Sequence, residues 1–332
     1  MIYFQRTIEL GEIVLQTDKL LGIGHFGVVV MGKLQRKTKL VHHYHHEIVA
    51  VKTIHNQSSK VTVKFLMEMR LLAVMDHPNI VKLLGAQELY YPVLMVTEYC
   101  EAGDLRKCLR AGFDYLRQVG MLSTLEDSYL DMLTQISSAV AYLHSKLCIH
   151  RDLAARNILV VKDDQHTNHC GLIMKLADLG LARALKEESD YYKSSNEEEA
   201  VAIRWQCPVA VSSRIYSAKS DVYSFGILIW EIVHQGATPF SELKTMEVTE
   251  HVKSGHTLRW SLNDNNNVLY VTELEQLVES CTQMVPAQRP NMVWIGQTLK
   301  MIGEDKKVKW TEEKDYRKAL VMNSEDEVET SL

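Results

Sequence analysis

The stretch HRDLAARN at residues 150–157 sets charged and polar side chains between two apolar segments. It contains two arginines, a histidine, an aspartate and an asparagine, and the chain becomes apolar again at 158–161. Charged groups are costly to bury unless they are paired or bound to a ligand. A polar loop held between apolar segments is therefore a candidate active site, and the rest of the sequence must decide whether that site is intact.

Composition limits the classes of protein to which this chain can belong. Its 332 residues carry a net charge of −5, which argues against nonspecific nucleic-acid binding as the main activity. The six cysteines are scattered without CxxC pairs, which indicates reduced thiols rather than a disulfide framework or a zinc site. No window approaches about 18 uninterrupted apolar residues, so we expect neither a signal peptide nor a membrane span here. The chain could still be one piece of a longer membrane protein.

The chain changes character part-way along. From Ile13 to about Leu94, short β-branched runs alternate with turn-rich segments, which predicts an antiparallel sheet. One helical pattern interrupts it, and helical spacing dominates after Gly103. The predicted helices are Thr62–Met75, Glu126–His144, Ser217–Val233, Thr272–Met284 and Met292–Ile302. This order predicts two lobes that join near Glu98–Asp104, followed by a charged tail at 304–332.

Three glycines near the N-terminus form a G-x-G-x-x-G pattern, with Gly22, Gly24 and Gly27 followed by Val29. A dinucleotide-binding version of this pattern would open a helix. Here the glycines lie between two β-branched runs, which favours a strand–turn–strand flap whose backbone can approach phosphate oxygens closely. Taken alone, the pattern also fits an ordinary glycine hairpin.

A lysine and two carboxylate loops follow in the order that phosphoryl transfer requires. Lys52 lies on the apolar strand EIVAVKTI, and Glu68 on the next helix could pair with it; alternatively, Lys52 is a surface lysine on an edge strand. Asp152 could orient an attacking hydroxyl, while Asn157 and Asp178 could supply oxygen ligands to magnesium. The order and spacing of four pieces, the glycine pattern, Lys52, HRDLAARN and Asp178, make coincidence an inadequate explanation.

The chain resembles a protein kinase catalytic domain from about Leu20 to Ile302. Further matches are HPNIVKLLG at 77–85, SDVYSFGILIWE at 220–231, and Arg289 in PAQRP. The resemblance implies an α+β fold with two lobes, a β-rich N-lobe and a mainly helical C-lobe. The implied boundaries are a domain at 13–303, made of an N-lobe at 13–97, a hinge at 98–104 and a C-lobe at 105–303.

The same resemblance implies roles for individual residues in binding ATP and Mg²⁺. Asp152 would be the catalytic base, assisted by Lys52, Glu68 and Arg156. Asp221 would hold the backbone of the catalytic loop, residues 150–157, in place. Thr97 would guard the pocket behind the adenine site. The metal ligands would be Asn157 and Asp178. The implied ATP-binding residues are Leu21, Gly22, Gly24, Gly27, Val29, Ala50, Lys52, Thr97, Glu98, Cys100 and Leu159.

The resemblance also implies tyrosine in protein substrates as the acceptor. Serine/threonine kinases usually carry a lysine two residues after the catalytic aspartate; here that position is Ala154, and Arg156 follows. This pattern resembles tyrosine kinases, receptor-type ones in particular, and Arg204–Trp205 resembles the segment against which their substrate lies. One or both of Tyr191 and Tyr192, in the activation loop between Asp178 and Pro208, would be phosphorylated. The phosphate charge would then pair with Arg151. The alternative is that they are two ordinary loop tyrosines.

Several positions depart from the family pattern. Leu179 replaces a phenylalanine, Ala202 replaces a proline, and Thr282 replaces a tryptophan. Val209 replaces a glutamate that would normally pair with Arg289, and losing one partner of a buried ion pair is destabilising. These changes keep open an alternative function, a pseudokinase that binds nucleotide and acts as a scaffold or allosteric partner.

Two short segments have no place in this scheme. His42, His43, His45 and His46 are expected to lie in a solvated loop before the Lys52 strand, although metal binding is conceivable. The C-terminal ETSL has the form of a peptide that adds a strand to a PDZ domain, if Leu332 is the natural end. The need for cytosolic ATP predicts a cytoplasmic location, or the cytoplasmic side of a membrane if the chain is part of a receptor.

Overall fold

The chain folds into a sheet-rich part followed by a helix-rich part. The computed structural model describes residues 8, 12–23, 27–37, 44–54, 59–88, 91–122, 125–165, 170–185, 191–194, 202–256, 258, 260 and 271–304. Gly24, His42, His43 and the whole ETSL segment lie outside these residues, so the predictions for them stay predictions.

Five antiparallel strands and one helix form the N-lobe. The strands are β1 (Ile13–Ile23), β2 (Gly27–Lys37), β3 (Tyr44–Ile54), β4 (Leu83–Gln87) and β5 (Leu94–Glu98). They are hydrogen-bonded in the order β1-β2-β3-β5-β4. Helix α1 spans Ser59–Ala73, so the predicted helix is confirmed with both ends shifted by two or three residues.

The register of the sheet decides which residues face the helical part of the molecule. Lys52 is paired with Val29 on one side and Met95 on the other, while Ala50 is paired with Thr97. Because cross-strand partners share a face and alternate residues along a strand do too, all five side chains lie on the same face. The opposite face of β3 carries Val49 and Val51, which are buried in a separate apolar cluster.

One correction concerns the histidines before Lys52. Two of the four, His45 and His46, lie within β3 rather than in a loop. They continue the ladder with β2, where His45 pairs with Arg36 and His46 with Gln35. Polar residues suggested a loop, but the hydrogen bonds of a hairpin join backbone groups, so its ladder can extend through polar residues.

Helices and three small sheets form the C-lobe. The predicted helices are confirmed with small end shifts, whereas four shorter helices, at 105–111, 113–118, 208–213 and 245–253, were not predicted individually. The helices are α2 (Leu105–Ala111), α3 (Phe113–Gln118), α4 (Leu125–Ser145), α5 (Pro208–Ser213), α6 (Ala218–Val233), α7 (Thr245–Lys253), α8 (Val271–Cys281) and α9 (292–304). The strands are β6 (Gly103–Asp104), β7 (Cys148–Ile149), β8 (Ile158–Lys162), β9 (Leu172–Leu176), β10 (Arg183–Ala184), β11 (Tyr191–Lys193) and β12 (Ile215–Ser217).

Helix α6 is the centre of the C-lobe. Every residue from Ser220 to Val233 is buried, as expected for a helix that is apolar on all sides. Its N-terminus is closed by a capping box in which the hydroxyl of Ser220 accepts a hydrogen bond from the amide of Ser217. The two carboxylates that it carries inward, Asp221 and Glu231, therefore have fixed positions beneath the cleft.

The lobes are joined by two segments. Residues 99–102 run from β5 to β6, and the segment before β4 bonds to β9 through Asn79, whose carbonyl accepts from Leu176 N at 2.8 Å. The Asn79 side chain also donates to Met174 O at 2.9 Å. The two-lobed α+β architecture expected from the resemblance is thus observed. No helix in the described part of the chain is long and apolar enough to cross a membrane.

Candidate active site

A cleft of about 730 Å³ opens between the two lobes. Most of the predicted site residues line it. These are Leu21, Gly22, Val29, Ala50, Lys52, Glu68, Thr97, Glu98, Cys100, Asp152, Arg156, Asn157, Leu159 and Asp178. The sequence prediction did not include other lining residues, among them Ile23, Leu72, Val81, Met95, Asp104 and Lys107. Met95 could have been found, since it lies two residues before Thr97 on β5 and alternate residues of a strand face the same way.

Gly27 is not among the residues that line the cleft. It lies at the first position of β2, where a Cβ atom would stand 1.8 Å from the carbonyl oxygen of Thr53. Any side chain would therefore force β2 away from β3. Glycine at this position allows β2 and β3 to lie close together, and these two strands carry Val29 and Lys52 into the cleft.

Lys52 forms a buried ion pair with Glu68. The Lys52 Nζ atom lies 2.7 Å from Glu68 Oε1 and 2.9 Å from Oε2, and both residues are less than a tenth exposed. Asp178 lies on the other side of the ammonium, with its Oδ1 atom 3.6 Å from Nζ. The alternative interpretation of Lys52 as a surface lysine is therefore wrong, and α1 is positioned so that its glutamate reaches into the cleft.

The electrostatics of this group keep Lys52 charged and Asp178 ionised. Burial alone would lower the pKa of Lys52, but Glu68 and Asp178 outweigh it and raise that pKa above its ordinary value. Burial alone would raise the pKa of Asp178, yet Lys52 and His150 bring it below its ordinary value. An anionic carboxylate at this position is a suitable oxygen ligand for a hard divalent cation.

Three side chains of HRDLAARN converge in the cleft. Arg156 Nη2 lies 2.5 Å from Asp152 Oδ1, and Asn157 Nδ2 donates to Asp152 Oδ2 and to the Asp152 carbonyl, both at 2.7 Å. The amide nitrogen of Asn157 is thus used within the loop, which leaves its side-chain oxygen as the atom that could bind a metal. Asp152 is held in one orientation without being fully enclosed.

His150 connects the catalytic loop to the strand that precedes Asp178. Its Nδ1 accepts a hydrogen bond from Asp152 N at 3.2 Å, so Nε2 carries the proton and donates to Ala177 O at 3.1 Å. The backbone adds a second link, since Ala177 N donates to Asn157 O at 2.9 Å. Asp152 and Asp178 are therefore fixed relative to each other.

Asp221, near the N-terminus of α6, connects that helix to the loop at 150–157 through hydrogen bonds. Its Oδ2 accepts from His150 N at 2.8 Å and from His144 Nε2 at 3.0 Å, while Oδ1 accepts from Arg151 N at 2.9 Å. Burial alone would raise the pKa of this carboxyl, but the bond from His144 and the other donors lower it below its ordinary value. Asp221 is thus a charged acceptor for two consecutive loop amides.

Glu231, at the other end of α6, makes a second set of contacts that sequence reasoning missed. Its Oε2 atom accepts from Ala155 N at 3.0 Å and from Trp205 Nε1 at 2.9 Å. Burial raises the pKa of this carboxyl, which is completely enclosed. The signal in the sequence was a charged residue inside an apolar helix, which needs partners when it is buried.

Glu98, at the start of the segment that joins the lobes, already bonds to other residues of the chain. Glu98 N donates to Lys82 O at 3.0 Å, and the Glu98 side chain accepts from Lys82 N at 2.8 Å and from Lys175 Nζ at 3.0 Å. Burial raises the pKa of the Cys100 thiol to about 12, so the cleft meets a neutral sulfur there. An adenine ring would therefore be recognised by the remaining backbone groups of this segment.

Comparison with known proteins decides the family. A family model described as protein tyrosine and serine/threonine kinase matches residues 15–299. The chain belongs to this family. Its kinase domain has the N-lobe sheet and helical C-lobe described above, with the lysine, glutamate and aspartates in one cleft.

The curated relatives of this kinase domain include receptors. Fibroblast growth factor receptor 1 of Pleurodeles waltl is 36% identical over 304 residues, and that of Xenopus laevis is 34% identical over 298 residues. Each alignment covers 86% of this chain, but only 33% and 34% of the respective relative. The chain therefore spans about a third of the length of these relatives. Its identity to them over most of its own length shows that it is a receptor tyrosine kinase-like domain.

The kinase domain replaces the expected ion pair of Arg289 with backbone acceptors. Arg289 Nε donates to Gln283 O at 2.7 Å, Nη1 to Lys219 O at 2.8 Å and Nη2 to Met284 O at 3.3 Å. Its guanidinium carbon also lies 5.1 Å from the centre of the Tyr223 ring. None of the ion pairs found among the described residues involves Arg289, yet its side chain is fully used.

These contacts lead to a prediction for the departure at Val209. Val209 packs against a cluster that includes Trp205 and Tyr216. We expect Val209→Glu to leave the free energy of unfolding unchanged or to lower it by about 1 kcal/mol, because a carboxylate loses hydration there while Arg289 already has acceptors. Denaturant melts of the two proteins would measure this, with the exposed substitution Val293→Glu as the control. A gain of stability would instead mean that the cation lacks a counter-charge.

Proposed function

We propose that this kinase domain transfers the γ-phosphoryl group of ATP to tyrosine hydroxyls of protein substrates. The observation that carries the proposal is that Lys52 contacts Glu68 and Asp178 in a cleft whose other wall presents Asp152 and Asn157. A domain that only bound nucleotide would have no need for a base held in place. The proposal is therefore preferred to the alternative of a pseudokinase scaffold.

The donor set fits ATP with magnesium. The ionised carboxylate of Asp178 and the amide oxygen of Asn157 are hard oxygen ligands, and the Lys52 ammonium can bond to phosphate oxygens. Bound magnesium would supply charge neutralisation on those oxygens. Val29 and Ala50 on the roof and Leu159 on the floor would hold the adenine ring between apolar surfaces.

The residues of the catalytic loop would then act on the acceptor. The Asp152 carboxylate would accept a hydrogen bond from the tyrosine hydroxyl and take its proton as the hydroxyl oxygen bonds to the γ-phosphorus. The bond from that phosphorus to the β–γ bridging oxygen would break, and ADP would leave. Arg156 and Asn157 each hold one oxygen of that carboxylate, which fixes its direction and leaves lone pairs for the hydroxyl. Ala154 in place of a lysine, together with Arg156, supports tyrosine as the acceptor rather than serine or threonine.

The test is a transfer assay with radiolabelled ATP and magnesium. The purified domain is incubated in parallel with a polymer that contains tyrosine and with a polymer that contains serine and threonine. Label on the first polymer alone is expected, and its loss on chelation of magnesium would support the metal requirement. Nucleotide binding without any transfer would select the scaffold function, and label on the second polymer would overturn tyrosine specificity.

Regulation by activation-loop phosphorylation is part of this proposal. Tyr192 lies on β11, where its ring centre is 5.0 Å from the Arg151 guanidinium carbon and 5.7 Å from that of Arg183. Arg151 is almost completely buried and also donates to Leu181 O at 3.1 Å. A phosphate on Tyr192 would add charge next to two guanidinium groups, which would bind β11 to the catalytic loop. Tyr191 is half exposed and therefore accessible to a second kinase molecule.

We expect the double substitution Tyr191→Phe and Tyr192→Phe to abolish activation by preincubation with ATP, while leaving the basal rate within about threefold. The single substitution Tyr192→Phe is expected to account for most of the effect, since the ring of Tyr192 lies close to both arginines. Time courses of peptide phosphorylation, with and without preincubation, would measure this. Full activation of the double variant would exclude the two tyrosines as the switch.

The partners and location follow from the reaction. Protein substrates with accessible tyrosines are the proposed partners, and the need for ATP places the reaction in the cytosol, at a membrane surface if the domain is part of a receptor. The proposed PDZ-domain partner depends on the C-terminal ETSL, which lies outside the described residues.

A further inference from the structure

A buried glutamine connects the segment at 203–207 to the catalytic loop. Gln206 is 2% exposed, and its Nε2 atom donates to the carbonyl oxygen of Arg151 at 2.8 Å. The two residues are 55 positions apart in the chain. Because buried polar groups need hydrogen-bond partners, this bond gives the Gln206 side chain a specific role beyond apolar packing.

The carbonyl that Gln206 holds belongs to the peptide bond between Arg151 and Asp152. Arg151 has a φ of +71°, a conformation that residues with a side chain rarely adopt, so this backbone needs external support. In the preceding peptide Arg151 N donates to Asp221, and within the Arg151–Asp152 peptide Asp152 N donates to His150 Nδ1. Gln206 donates to the carbonyl oxygen of the same peptide, so its N–H and C=O groups both have partners and the orientation of the peptide plane next to Asp152 is fixed.

Neighbouring side chains tie the same segment to other parts of the C-lobe. Trp205 Nε1 bonds to Glu231, and the Trp205 carbonyl accepts from Ser224 Oγ at 2.7 Å, so both contacts lead to α6. Arg204 donates to the carbonyls of Pro239, Phe240 and Leu243 before α7. These bonds locate the segment on the lobe, whereas the Gln206 amide bonds directly to the peptide that precedes the base.

We propose that Gln206 is a positioning residue for the catalytic base, coupling the segment that would receive the substrate to the orientation of Asp152. The inference rests on the proposed tyrosine phosphorylation. A shift of the base of less than 1 Å is enough to slow proton removal, while the nucleotide contacts at Lys52 and Asp178 lie on other elements. The loss of this bond should therefore act on the chemical step and not on nucleotide affinity.

The test compares two buried glutamines. Gln206→Met keeps a similar volume but removes the donor. Gln87→Met is the matched control, since Gln87 is 4% exposed and its Nε2 atom donates to Pro92 O at 2.9 Å in the N-lobe. We expect Gln206→Met to lower kcat by about tenfold or more with KM for ATP within about twofold, and Gln87→Met to keep kcat near the wild-type value.

Equal kcat values for the two variants, at equal thermal midpoints, would overturn the proposal. If Gln206→Met does not fold, Gln206→Glu replaces it as a variant of nearly the same shape. An ionised glutamate would face the Arg151 carbonyl without a proton to donate, whereas a protonated one could donate. The ratio of its kcat to that of the wild type should rise as the pH is lowered from 8 to 6, and a flat ratio would count against the positioning role.

Hydrogen exchange separates this inference from the proposed function. Amides of residues 150–157 should exchange faster in Gln206→Met than in the wild type, and at the wild-type rate in Gln87→Met. This readout needs no phosphoryl transfer. If the wild type transfers no phosphate, the proposed function fails, but faster exchange in Gln206→Met alone still supports the coupling. Unchanged exchange overturns the coupling even in an active kinase.

Discussion

Asp152→Asn is expected to lower kcat for tyrosine phosphorylation by about 10²–10⁴-fold, the usual contribution of a positioned general base. Asparagine has nearly the same shape and keeps one acceptor oxygen for Arg156 or Asn157, so the loop should keep its conformation. It cannot take a proton from the tyrosine hydroxyl at neutral pH. Steady-state kinetics would measure kcat, and fluorescence titration would measure nucleotide affinity, which should stay within about threefold.

The control for Asp152→Asn is the same substitution at Asp164. That carboxylate lies after β8, is mostly exposed, and pairs with Lys162 at 3.0 Å outside the cleft. Asp164→Asn should have wild-type kinetics, since exposed pairs contribute little. If Asp152→Asn retained more than about a tenth of the wild-type kcat, Asp152 would not be the base, and the loop would have a binding role instead.

Asp221→Asn is expected to lower the free energy of unfolding by about 2–4 kcal/mol. The carboxylate accepts three hydrogen bonds, from His150 N, Arg151 N and His144 Nε2. An amide has only one acceptor oxygen, so in either orientation its NH₂ group faces at least one of these donors. Urea denaturation would measure the loss. Asp131→Asn is the control because Asp131 Oδ2 accepts one backbone amide, that of Cys170 at 2.9 Å, and the loss there should be about 1 kcal/mol.

The contribution of Asp221 should also depend on pH in one direction. Its pKa in the folded state is below the ordinary value of about 4, so the stabilisation is present above that pH and disappears as the pH falls through the folded-state pKa. The difference in stability between the wild type and Asp221→Asn should thus be constant above about pH 5 and shrink below about pH 4. A difference that grows on acidification would contradict this interpretation.

The residues proposed to contact ATP, magnesium and the substrate hydroxyl were the most predictable part of this molecule. Lys52, Asp152, Asn157 and Asp178 are chosen by the chemistry of phosphoryl transfer, which requires particular functional groups in a particular order. Ala50 was predicted from the resemblance to protein kinases, and its side chain lies on the same face of β3 as that of Lys52, because residues two apart on a strand face the same way. The structure places all of these residues along one cleft.

The residues that hold those groups in place were less predictable. Glu231 reaches Ala155 across 76 positions, and Gln206 reaches Arg151 across 55. Such pairs become neighbours only through the packing of α6 against the catalytic loop, which no local pattern encodes. The acceptors of Arg289 are backbone carbonyls, and any residue type supplies those, so the sequence offered no signal for them.

Helix α6 fixes the distance between the two carboxylates that bind the loop at 150–157. Asp221 and Glu231 are ten residues apart, which corresponds to about 15 Å along a helix, and each bonds to a different part of the loop. One inserted residue between them would turn the second carboxylate by about 100° relative to the first. The number of residues in this helix is therefore as much a part of the active-site geometry as the identity of the carboxylates at its two ends.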